Sequence, residues 1–195
     1  MDAPATPVDA GLPRAVGLGL TTLVAGAGLA FLFVLFVVTT NLVAPANPYY
    51  TSGAGVWLVL VGSASELVLA AALFGFAMQY GERLHRLVVP VVAIGGLFAA
   101  LSAIGAYKLI AFVPVSTALL AWNLARLRVI GSALAALHVV FAAIFVGIIL
   151  TVMVATPGSE YTSLMLVLAA WPLTLAAIGL AVMRADHAPA PAPAA

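Results

Sequence analysis

Apolar residues in this chain fall in long blocks, with neither the strict alternation of a strand nor the one-sided stripe of a soluble helix. Six such blocks cover about residues 15–43, 55–79, 88–106, 109–125, 129–155 and 161–183. A helix needs roughly 20 mostly apolar residues to cross the hydrocarbon of a bilayer. The pattern therefore predicts an all-α fold, a polytopic membrane bundle of six transmembrane helices. The first block far exceeds the roughly 7–15 apolar residues of a secretory signal, so it reads as a retained helix, although Ala44-Pro45-Ala46 has the small residues of a cleavage site.

Polar intervals divide the blocks into three parts. Residues 1–13 read as a disordered cytoplasmic tail, 14–184 as the transmembrane domain and 185–195, with repeated Ala-Pro, as a second disordered tail. The shortest block, 109–125, contains Pro114 and has an alternative reading as a re-entrant or interfacial segment, which leaves five spans. Charge favours six. Short cytoplasmic loops collect Lys and Arg. Six crossings put Arg14, Arg83, Arg86, Arg126, Arg128 and Arg184 on the cytoplasmic side with both termini, leaving only Lys108 outside. Five crossings would move the last three arginines across the membrane.

Small residues recur at helical spacing and predict close packing seams, since helices in lipid associate through near backbone approach. The seams are Thr22, Gly26 and Ala30; Gly62, Glu66 and Ala70; Gly95, Ala99 and Ala103; and Gly131, Ala135 and Ala142 around His138. Tyr49, Tyr50, Trp57, Lys108 and Trp122 read as interface anchors, with the Lys108 ammonium reaching outward to water. Trp171 falls near mid-span and reads as core packing.

Composition sharpens the picture. The chain is 65% hydrophobic and 7% charged over 195 residues, against about 45–50% and about 25% in soluble domains. No water-soluble surface can be made from that. A formal net charge of +1 and scattered basic residues exclude nucleic acid as a partner. The absence of cysteine excludes disulfides, iron–sulfur clusters and thiol chemistry. The Ala, Val, Leu and Gly bias fits a GC-rich bacterial genome, so the expected location is a bacterial plasma membrane. The expected partners are the bilayer and other membrane subunits, and a homo-oligomer is compatible with the composition.

Glu66 carries the one carboxylate in a predicted span, and such residues are costly at mid-bilayer and commonly functional. Taking each block's middle as the midplane, at 1.5 Å per residue, Glu66 and His138 lie within about 4 Å of it. Ser116, Thr117 and Thr174 reach the same level. These five residues form the candidate proton or ion site, in which Glu66 binds a proton or cation and His138 relays it. The structural alternative is a Glu66 that donates one hydrogen bond and a His138 satisfied inside the bundle. Pro114 and Pro172 each remove a helical hydrogen bond and could free carbonyls for the same belt.

No catalytic residues, metal ligands or cofactor-binding residues are identified, and no cofactor is expected. His85 and His187 sit outside the spans, so two imidazoles cannot face one haem within the chain. No mid-span Asp or Lys supports phosphotransfer or a Schiff base, and Gly62-Ser63-Ala64-Ser65-Glu66 does not match a serine nucleophile motif. The leading expectation is an accessory or assembly subunit of a larger membrane complex. A proton-coupled transporter or channel comes second, and a haem- or quinone-associated redox subunit third.

Overall fold

The computed structural model describes residues 12–38, 53–154 and 167–185. Among them are helices α1 (Leu12–Val38), α2 (Gly53–Tyr80), α3 (Val88–Ala103), α4 (Val113–Arg126), α5 (Ser132–Val154) and α6 (Ala170–Ala185), with a 3₁₀ segment at Tyr107–Phe112 before α4. Tyr49, Tyr50 and residues 1–11, 155–166 and 186–195, which include the start of the predicted sixth span, lie outside the described residues. So do the side chains of Trp57 and Lys108.

Each helix packs on its neighbour in sequence, and α6 closes the ring on α1. An even number of helices lets the ring close with every adjacent pair antiparallel. Gly75 faces Leu18 while Gly62 faces Leu32, which sets α2 against α1; Gly19 faces Met183 and Gly26 faces Ala176, which sets α6 against α1. On the far wall Ser116 reaches Val91 and Phe112 meets Phe98, which sets α4 against α3. This alternation brings residues 14, 83, 86, 126, 128 and 184 to one end of the bundle and 108 to the other. All six arginines of the chain stand at a common end.

The exterior is as apolar as the core. Phe31, Leu67, Phe74, Ile94, Leu137 and Leu173 are exposed around the ring, a surface that water would not tolerate over such an area. Four stretches are long and apolar enough to cross a membrane: Val16–Leu35, Val59–Tyr80, Leu109–Arg126 and Ser132–Thr151. Val88–Ala103 and Ala170–Ala185 are apolar but shorter, and 16 residues rise only about 24 Å.

Several boundaries differ from the sequence expectation. The first helix begins at Leu12, so the last residues assigned to the tail form its first turn. The third helix stops at Ala103, short of Ala106, because Gly105 turns left-handed at φ 120° while its amide bonds Ser102 O and the Ala106 amide bonds Leu101 O. The fourth is not one helix from Leu109: Pro114 cannot donate, and it sits in the first turn of α4, where that loss is harmless. Pro172 stands in the opening turn of α6, but helical Val167 and Leu168 precede it across a one-residue turn at Ala169, so it marks a break with helix on both sides.

α4 ends with the same double hydrogen bond as α3, Arg128 N to Ala125 O and Val129 N to Leu124 O. Here the left-handed residue is Arg128, at φ 59°. Glycine is the usual occupant of that position, and a residue with a Cβ costs about 1 kcal/mol more there.

Candidate functional site

His138 is fully buried on α5 and ties three helices together. Its Nδ1 lies 2.8 Å from Thr174 Oγ1 on α6, and its Nε2 lies 3.0 Å from Thr117 Oγ1 on α4. The Trp171 indole donates to the same Thr117 oxygen at 3.1 Å. Each threonine also reaches a carbonyl in its own helix, Thr117 to Pro114 O at 3.0 Å and Thr174 to Trp171 O at 2.7 Å. Trp171 in turn packs against Phe145, with ring centroids 4.6 Å apart.

The donors can be allotted without leaving a gap. With the proton on Nδ1, the ring donates to Thr174, Thr174 donates to Trp171 O, and Thr117 donates to Nε2. With the proton on Nε2, the ring donates to Thr117, Thr117 to Pro114 O, and Thr174 to Nδ1. Either tautomer satisfies every side chain, because a helical carbonyl keeps its own amide partner. Both imidazole nitrogens are spent on threonines, so neither is open to iron or to a carboxylate.

Glu66 stands elsewhere. It is buried on α2, the helix opposite α5 in the ring, and the side chain that approaches its carboxyl is Ser102 on α3. The Ser102 hydroxyl is fully buried and makes no hydrogen bond of good geometry. The structure thus brings Thr117 and Thr174 to His138 but leaves Glu66 with a different partner, so the proposed Glu66-to-His138 relay has no direct contact. Ser116 is also separate: it donates to Val91 O at 2.9 Å, in the space that Gly95 leaves on α3. Trp122 is half-exposed on α4.

Sequence reasoning missed Ser102 and the polar role of Trp171. Ser102 had a usable signal, since Glu66 and Ser102 are equidistant in the chain from Leu84 in the α2–α3 turn. Two facing antiparallel helices pair residues that way. Gly131 is a further difference, since a Cβ there would meet nothing, so it belongs to no seam.

A void of about 10 Å³ lies inside the ring, walled by Leu73, Phe76, Leu120 and Ile178 with Thr22 and Thr117 at its edge, about the least volume that holds one water. Among the described residues no group of three His, Cys, Asp or Glu side chains could hold a metal ion. No family model, curated protein or solved structure matches the chain. Fold and composition alone define its class, a helical bundle with four long apolar helices, compatible with a membrane location.

Proposed function

We propose that this is a six-crossing membrane protein that serves as an accessory or assembly subunit of a larger membrane complex. The observation that carries the reading is the interior: the polar side chains at its middle are bonded to one another across α4, α5 and α6, beside a void of about 10 Å³. Such a centre holds helices in place and offers little room for a passing solute. The apolar exterior leaves ample surface for neighbouring subunits in the bilayer.

A second reading, a proton-coupled transporter working through Glu66, draws on the buried Ser102 hydroxyl beside that carboxyl. One pair of experiments separates the two. Extraction from native membranes in a mild detergent is expected to recover the chain with a stoichiometric membrane partner. Proton flux through partner-free protein in liposomes, abolished by Glu66→Gln, would replace the subunit reading with the transporter.

A further inference from the structure

At the arginine-bearing end, a groove of about 780 Å³ lies between the α4–α5 turn, the start of α5 and the end of α6. Its cations are Arg128 and Arg184, its walls include Leu134, Val129, Leu180 and Ala181, and no acidic side chain among the described residues lines it. We infer that this groove binds one anionic phospholipid, its phosphate held between Arg128 and Arg184 and an acyl chain lying along Leu134 and Leu180.

Three observations carry the assignment. The two arginines belong to different elements, the α4–α5 turn and the last turn of α6, and both line one space. Arginine forks match phosphate oxygens in geometry as well as charge. Next, the walls are apolar and continue into the exposed Leu137 and Leu180 faces, so the groove suits an anion with a hydrocarbon tail better than a free anion. Basic pockets between helices at one membrane face are suited to anionic headgroups. Finally, Arg128 occupies the left-handed cap position that glycine fills at the end of α3. A cation stands where the backbone favours glycine.

The test is lipid retention by the full chain in neutral detergent, counted by native mass spectrometry with phosphatidylglycerol and phosphatidylcholine in equal amounts. The wild type is expected to keep one phosphatidylglycerol with a preference of about 30-fold, the ratio expected of two cations beside an anionic headgroup. Arg128→Gly removes the charge and gives the cap its favoured residue, so it should fold at least as well and lose most of the preference. Arg184→Ala should do likewise. Arg86→Ala, at the same end but outside the groove, should leave the preference intact. Equal retention of both lipids, an unchanged preference in Arg128→Gly, or an equal loss in Arg86→Ala would overturn the assignment. So would displacement of the lipid by millimolar inorganic phosphate, which would make the ligand a free anion.

Discussion

Replacing Gly26 with alanine is expected to destabilise the bundle by about 3 kcal/mol, the upper part of the usual range for overpacking. The contact at this glycine is backbone against backbone. A Cβ built there would sit 2.5 Å from Ala176 N and 2.6 Å from Pro172 O on α6, and neither atom can swing aside as a side-chain tip could. The helices would have to separate along the seam that closes the ring, where Gly179 meets the Leu23 and Gly19 backbones from the other side. Gly147→Ala is the natural comparison. Nothing lies within 4 Å of the Cβ it adds, and alanine is favoured over glycine in a helix by up to about 1 kcal/mol. Opposite signs from the same substitution, measured by unfolding in detergent, would show that close approach and not glycine content governs stability. A neutral Gly26→Ala would mean that α1 and α6 are not in backbone contact.

The second large effect is at His138. Alanine there removes both threonine contacts and leaves a cavity beside Trp171, with an expected cost of about 3 kcal/mol from lost packing and lost hydrogen bonds together. Hydrogen bonds between membrane helices average about 0.6 kcal/mol and rarely exceed about 1.7. A double-mutant cycle of His138→Ala with Thr174→Val should therefore show a coupling of about 1 kcal/mol. Additive costs would show that the 2.8 Å contact contributes no stability.

Much of this arrangement was legible in the chain, and the exceptions have identifiable causes. Block lengths and arginine positions predicted alternating helices with all arginines at one end, and the packing reproduces that end-to-end asymmetry. Level along the helix axis was partly readable: Thr117 and Thr174, placed near the level of His138, lie within hydrogen-bond distance of its ring. Rotation about the axis was not. Ser116 and Thr117 are adjacent, so their side chains point about 100° apart, and only one can face α5 while the other bonds Val91. Glu66 is kept from His138 by its place in the ring, on α2 opposite α5, where Ser102 of α3 is the side chain that meets it. Small residues are so common here that spacing alone could not select the Gly26 and Gly179 seam from the others. The short 3₁₀ segment before α4 reflects Pro114, whose effect depends on whether a helix starts or continues at that point.

The central claim is that the chain crosses the membrane six times, with its arginine-bearing turns on one side. Because the chain has no cysteine, single cysteines can be introduced at positions 86, 108, 126 and 184 without background. Labelling with a membrane-impermeant maleimide in intact and in opened cells reports the side of each. The account predicts that 86, 126 and 184 react only after the cytoplasmic face is exposed, and that 108 reacts in intact cells. Reaction of 126 and 184 in intact cells, with 86 still protected, would mean that residues 109–125 turn back within the bilayer and that the six-crossing arrangement is wrong.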